Sequence, residues 1–362
     1  MKKWSKIIIA GSLLFFAFKM AYAVIFPTSQ EVLIANRIEF LNKLRKYSGN
    51  LFWKDFSNDS SVGEIVYFTG NASYLFNPDA ASLEKIDGKY EIVASPNKTR
   101  MLRLKNPFDS AVYVMETQFE YDDKRENRID YKNPVLFCTS TEDIANYNPE
   151  IKTTEDWAIA ALHEYYHQYQ FRHSAVFNYI LSLVKQKRIL NRDTLQGVYR
   201  TNISFHDTLI RENDALLKAV SATSLDQEKK YFKEFLRLRD KRRLEYNKKY
   251  KTQINIPEDF WEKMEGTAEY IEASAKLGLA QMPVDSVLLD TDPMYKGNSQ
   301  YRDFSFDTAS DYYDCTQAVY YLGATGFNLV RLLEKNKVVY KDNFFNYASL
   351  PLHMQLKIFY KL

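Results

Sequence analysis

His163, Glu164 and His167 form an H-E-x-x-H element inside a segment, roughly Thr154 to Phe171, whose pattern predicts a helix. Two imidazoles four residues apart leave the same face of a helix about one turn, or roughly 6 Å, from each other, which suits two of the four positions around a tetrahedral zinc ion. The glutamate between them then faces the water on the metal. The chain has only five histidines, so two of them in this frame are a specific signal. The bland alternative is a pair of partly exposed histidines on an amphipathic helix, and against it stands a downstream helix that can complete a metal site. His173 and His206 are expected to be solvent-facing or structural rather than further ligands.

Catalytic zinc typically takes three protein ligands and leaves one position to water. The helix opened by Pro257 carries an apolar stripe, Trp261, Met264, Ala268 and Ile271, beside an acidic one, Glu262, Glu265, Glu269 and Glu272. Carboxylates crowded on one face repel one another unless solvent or a cation relieves them. Glu265 is favoured as the ligand because Gly266 follows it: a glycine in mid-helix costs about 1 kcal/mol relative to alanine, usually in exchange for close approach of another backbone. The expected neighbour is the helix bearing the histidines. Glu269, one turn on, would accept a hydrogen bond from the far ring nitrogen of His163 or His167, and the two glutamates could exchange these roles. Cys138 is a weaker candidate for a soft third ligand.

The elements that must position these groups differ along the chain. Residues 1–23 combine Lys2, Lys3 and Lys6, a short apolar run from Ile7 to Phe18, and Ala21-Tyr22-Ala23, the three regions of a secretory signal. Cleavage is expected, which makes the protein exported, to the periplasm or beyond; the alternative is an uncleaved N-terminal anchor, but Lys19 interrupts the apolar run well short of a spanning helix. Without this segment the formal charge falls from +3 to −1, because Lys2, Lys3, Lys6 and Lys19 leave with no acid. No net field for nucleic acid or anionic lipid remains, and no stable membrane span is expected after cleavage. Cys138 and Cys315 can pair in an oxidising compartment or stay as buried thiols.

From Gln30 to Tyr47 apolar residues recur at helical spacing. Between there and about residue 140, Ile65–Phe68, Tyr74–Phe76, Tyr90–Val93, Ala111–Met115 and Val135–Phe137 read as strands separated by turn formers such as Gly70-Asn71 and Asn133-Pro134. Beyond Thr153 the chain reads as helical. The basic run from Lys229 to Lys251, with interspersed Glu234, Asp240 and Glu245, is expected to be a solvated helix face. The fold class is α+β: a signal at 1–23, an N-terminal helix plus β-rich subdomain at 24–150, packed on a helical zinc-site subdomain at 151–362 with a helical insertion at about 175–255.

His163-Glu164-x-x-His167 followed by Glu265-Gly266-Thr267-Ala268-Glu269-Tyr270 resembles the gluzincin metallopeptidases, whose groups include thermolysin and aminopeptidase N. The resemblance runs from roughly Phe137 to Lys335 and implies a zincin-like fold, one zinc per chain on His163, His167 and Glu265, and Glu269 behind the ligands. It also implies an edge strand ahead of the zinc helix for the extended substrate, for which Pro134 to Ser140 is the candidate. The separation of His167 from Glu265 is much longer than in those groups, and the Gly-x-Met-Glu-Asn element that captures a free amino terminus in aminopeptidases is absent, so aminopeptidase specificity does not carry over.

The expected activity is hydrolysis of peptide bonds. Zinc would lower the pKa of its water toward about 7, and Glu164 would serve as general base and then general acid. Tyr313 is the expected donor to the developing oxyanion, by a loose likeness to the tyrosine that follows the third ligand in aminopeptidase-type gluzincins; Tyr312 and Tyr320 compete with it. The partner is a peptide or protein substrate. The alternative is a non-catalytic, zinc-stabilised peptide-binding protein, against which the presence of Glu164 argues, since structural zinc prefers four closed ligands.

Overall fold

The computed structural model describes residues 24–86, 89–95, 99–105, 115–118, 134–186, 188, 191–306, 315–316, 320–346 and 348–362. The fold is α+β, a mixed sheet of short strands followed by a helical remainder. Two compact units are present. One holds the described residues up to Phe40 together with Val62–Trp157 and Asp285–Tyr295; the other holds Leu41–Ser61, Ala158–Val284 and Lys296–Leu362. No described helix is long and apolar enough to cross a membrane.

The first unit contains the sheet. Its strands are β1 (Val24–Ile25), β2 (Ile65–Thr69), β3 (Ala72–Phe76), β4 (Tyr90–Val93), β5 (Met101–Leu104), β6 (Glu116–Gln118) and β7 (Val135–Thr139), in the order β1-β4-β5-β3-β2-β7-β6. β2 and β3 form a hairpin with Thr69 opposite Ala72, and the Thr69 hydroxyl closes the Gly70-Asn71 turn by accepting from the Ala72 amide at 3.1 Å. β7 lies parallel to β2 on one side and antiparallel to β6 on the other. Pro134–Ser140, expected at the sheet edge, is therefore interior, and among the described residues Glu116–Gln118 ends that side. Val135-Leu136-Phe137-Cys138 is an apolar run, all of it buried, as suits a strand paired along both edges, whereas Glu116 and Thr117 are half-buried. β5 was not anticipated because Arg103 interrupts its apolar residues; Glu31 accepts from Arg103 Nε at 2.8 Å and allows the charge to lie there. Of the expected strand Ala111–Met115, residues 111–114 lie outside the described residues.

Helix Ser29–Leu51 starts on a reciprocal cap: Thr28 donates its amide to Glu31 at 2.8 Å while its hydroxyl accepts from the Glu31 amide at 3.3 Å. Arg37 on this helix is buried and fully engaged. It donates to both oxygens of Asp292 at 2.8 and 2.7 Å and both of Glu142 at 2.8 and 2.7 Å. The Thr154 hydroxyl adds a donor to Asp292 at 2.7 Å, at the first residue of the helix Thr154–Phe171 that carries the histidines. That helix has its own reciprocal cap, Thr153 Oγ1 with the Asp156 amide and Asp156 Oδ2 with the Thr153 amide, both at 3.1 Å. Trp157 Nε1 donates to the Thr139 carbonyl at 2.9 Å, which ties the start of the histidine helix to the end of β7.

The second unit is helical. Between the histidines and Glu265 run Ser174–Lys185, Arg192–Thr201, Ile203–Ser221 and Leu225–Tyr250; Asn255–Gln281, the acidic helix, follows, then Tyr321–Lys335 and Leu352–Phe359. The basic run on Leu225–Tyr250 corrects one expectation. Arg237 is solvated, with its side chain 61% exposed, but Arg239, Arg242 and Arg243 are buried. Glu212 accepts from Arg242 Nε at 2.7 Å, Glu258 from Arg242 Nη1 at 2.6 Å and from Arg243 Nε at 2.7 Å, and Glu262 from Arg239 Nη1 at 2.9 Å. These acids come from two other helices, so charge spacing along one helix could not reveal them. Cys138 and Cys315 are buried thiols not joined to each other.

Candidate metal centre

His163 and His167 leave the histidine helix side by side, and Glu265 reaches them from the acidic helix. The two Nε2 atoms are 3.1 Å apart; Glu265 Oε2 lies 3.7 Å from His163 Nε2 and 3.6 Å from His167 Nε2. A triangle with these edges has a centre about 2.0 Å from every corner, within the range of zinc–imidazole and zinc–carboxylate bonds. The three residues form one of the described groups able to hold a metal ion.

Tautomers decide whether those nitrogens can be ligands. His167 Nδ1 is 2.8 Å from Gln170 Oε1, and Gln170 Nε2 donates to the Met264 carbonyl at 3.1 Å and to Thr267 Oγ1 at 2.7 Å. A carbonyl only accepts, so the amide nitrogen of Gln170 must face Met264 and its oxygen must face His167. The proton of His167 is thereby held on Nδ1, and Nε2 presents a lone pair. His163 Nδ1 faces Glu272 Oε2 at 3.3 Å, an ion-pairing distance that favours the same tautomer. Two lone pairs 3.1 Å apart with a carboxylate oxygen beside them repel one another unless a proton or a cation lies among them. The donor set therefore fits a divalent cation with one position open.

Electrostatics around the triangle are strong. Burial alone would raise the Glu265 carboxyl, but His167, His163 and Arg192 override it and hold it well below the usual carboxylate range. Burial alone would lower His163, but Glu265 and Glu272 raise it well above the usual imidazole value. Both shifts describe a place where positive charge is wanted. Glu164 contributes through its charge to His163 and Arg192 alike.

Glu269, expected on the far nitrogen of one imidazole, comes beside His163 together with Glu272 in a second group able to hold a metal, and it also lies against the first turn of Tyr321–Lys335, where a Cβ on Gly323 would be 3.0 Å from Glu269 Oε1. Burial and the nearby Glu272 push the Glu269 carboxyl above the usual carboxylate range. Gln170 faces the far nitrogen of His167 and Glu272 that of His163, one three residues beyond His167 and the other seven beyond Glu265. Gly266 also has a different neighbour from the one expected. A Cβ there would be 2.3 Å from the Gly326 carbonyl carbon, and a Cβ on Gly326 would be 2.1 Å from the Glu262 oxygen. The close approach is to Tyr321–Lys335, not to the histidine helix.

Arg192, at the start of Arg192–Thr201, was not foreseen. Its Nη1 donates to Glu265 Oε1 at 2.8 Å, leaving Oε2 for the imidazoles. The guanidinium lies over the rings of Tyr320, at 4.8 Å, and Trp261, at 5.8 Å. Tyr320 in turn donates its hydroxyl to Asp193 Oδ1 at 2.7 Å. Tyr312 and Tyr313 lie outside the described residues; Tyr320, the described member of that trio, packs against the Arg192 guanidinium. Cys138 belongs to none of the described metal-capable groups, and it sits in β7 facing Tyr67 across the ladder. His173 stacks on Phe345 with ring centroids 3.8 Å apart, and His206 packs on Tyr199 at 4.7 Å, so both are packing residues.

No family model matches the chain, and neither the curated proteins nor the solved structures contain a match to it.

Proposed function

We propose that the protein is an exported, zinc-dependent peptidase of gluzincin type, with the zinc on His163, His167 and Glu265. The observation that carries this reading is the convergence of two imidazole nitrogens, that of His167 fixed as an acceptor by Gln170, with one carboxylate oxygen on a point about 2.0 Å from each. Three protein donors suit a working centre better than a structural one, which closes all four positions. The bound zinc would supply a water acidified toward pKa about 7 and a Lewis-acid site for the peptide carbonyl.

The chain's own residues do the rest. Glu164, carried on the same helix as both imidazoles and outside the ligand triangle, takes a proton from the attacking water and returns it to the departing amine nitrogen as the C–N bond breaks. Gln170 holds the His167 tautomer through the cycle, Glu272 offers its charge to the outer nitrogen of His163, and Arg192 keeps Glu265 on one oxygen. Substrates are peptides or proteins met outside the cytoplasm.

The test is hydrolysis of a mixed peptide library by wild-type protein and by Glu164→Gln, each with and without chelator. Turnover that chelator abolishes, and that falls about a thousandfold in Glu164→Gln, is expected. Tight zinc binding without chelator-sensitive turnover would replace this reading with the non-catalytic peptide-binding one.

A further inference from the structure

Arg192 spends one nitrogen on Glu265 and holds others in reserve. Among the described residues Nη1 takes the only hydrogen bond of this side chain, to Glu265 Oε1 at 2.8 Å, and the side chain is 34% exposed. The guanidinium is a rigid planar fork of five N–H donors, so the donors not spent on Glu265 are carried at a short fixed distance from the ligand triangle. Their direction is set by aromatic packing: the fork lies over Tyr320 and Trp261, and Tyr320 is itself tied down through Asp193. Glu164, the proton carrier, acts on the same guanidinium through its charge. One cation is thus bonded to the third ligand, partly open to solvent, and held over two aromatic rings.

We propose that Arg192 is the group that receives the carbonyl oxygen of the bound peptide, its unspent N–H donors stabilising the negative charge that grows there as the carbon becomes tetrahedral. The inference rests on the peptidase reading above and adds to it the oxyanion donor, a role assigned from sequence to Tyr313. A neutral amide oxygen binds the fork moderately, and the oxyanion binds it more strongly, so the contact favours the transition state over the ground state. Placement on the helical stretch between the zinc ligands gives that long stretch a chemical purpose, since it delivers the donor.

The test compares wild type with Arg192→Lys and Arg192→Ala, each loaded with zinc. Two inhibitors serve as probes: acetohydroxamic acid, which grips metal through its own two oxygens, and the phosphonamidate copy of whichever library peptide wild type cleaves fastest, whose P–O oxygens stand where the oxyanion forms. Zinc affinity is measured by competition with a chromophoric chelator. Arg192→Lys keeps a cation for Glu265 and removes the fork. The expected result is phosphonamidate binding weakened about 100-fold in both variants and kcat lowered more than KM is raised. Acetohydroxamate affinity, and zinc affinity in Arg192→Lys, should stay within about threefold. Equal losses for both inhibitors and for zinc would overturn the proposal and leave Arg192 as a strap on Glu265. Unchanged phosphonamidate binding would overturn it as well. Wild-type protein that takes up no zinc or cleaves no peptide would instead overturn the peptidase reading, and the proposal would fall with it.

Discussion

Gly266 and Gly326 meet backbone to backbone: a Cβ on the first would be 2.3 Å from the carbonyl carbon of the second. This crossing sets how deeply the acidic helix is seated, and therefore where Glu265 and Glu269, on either side of Gly266, are presented. Alanine at either glycine must force two helices apart. Gly266→Ala and Gly326→Ala are expected to cost about 3 kcal/mol or more by overpacking, read as a lowered urea midpoint with unchanged slope. Gly197 is the control. It lies within helix Arg192–Thr201 with nothing inside 4 Å of an added Cβ, so Gly197→Ala should stabilise by roughly 0.5–1 kcal/mol.

Gln170 fixes the tautomer of His167 from inside the core. Gln170→Ala removes the acceptor on Nδ1 and leaves the Met264 carbonyl with one donor fewer. Zinc affinity should fall about 10–100-fold, measured by chelator competition at constant pH, while His163 and Glu265 remain in place. An unchanged affinity would mean that the ring is oriented by packing on Phe171, which lies parallel to it at 5.8 Å.

Acid should attack the first unit through Asp292. Its carboxyl is held below its ordinary value of 3.8, because hydrogen bonds from Arg37 and Thr154 outweigh burial, and Glu142 is likewise held below 4.5 by Arg37. With folded values below unfolded ones, the unfolded chain binds more protons in acid. The stabilisation is complete above about pH 5 and drains away as pH falls through 4.5 and 3.8 toward the folded values. Asp292→Asn breaks a buried pair and should cost about 3 kcal/mol at pH 7. It should also flatten the loss of stability between pH 5 and pH 3; a slope as steep as wild type would place the acid sensitivity elsewhere.

Both cysteines should behave as inert thiols. Burial pushes the Cys138 thiol well up, and Cys315 is equally enclosed, so a water-soluble thiol reagent should label neither until denaturant is added. Intact mass should be the same with and without reductant. Labelling of one cysteine under native conditions would show local opening around it.

The legible parts of this protein are those in which partners stand close along the chain. The histidine pair is read from a four-residue interval, β2, β3, β4 and β7 from apolar runs between turn formers, and the glutamate from the glycine beside it. Gln170 was equally readable, being one turn beyond His167 on the same helix, and Glu272 lies on the acidic stripe already marked. What sequence could not show are pairings between distant segments. Arg192 meets Glu265 through a fold that brings 192 beside 265; Arg239, Arg242 and Arg243 look like a solvated face until Glu212, Glu258 and Glu262 arrive from other helices. Gly266 correctly announced a close backbone, but a glycine carries no mark of which backbone, and the one that came was Gly326. The same holds for β7, whose apolar run promised burial without saying that β6 would pair with its outer edge.

Metal content is the most direct test of the centre itself. Wild-type protein, Glu265→Gln and Glu269→Gln are purified alike, dialysed against excess zinc and then against metal-free buffer, and analysed for zinc per chain. Since Glu265 Oε2 is one corner of the donor triangle while Glu269 rests against Gly323, wild type should retain one zinc, Glu269→Gln nearly the same, and Glu265→Gln little or none. Retention of zinc by Glu265→Gln together with its loss from Glu269→Gln would contradict the assignment, and a wild type that holds no zinc would contradict the centre.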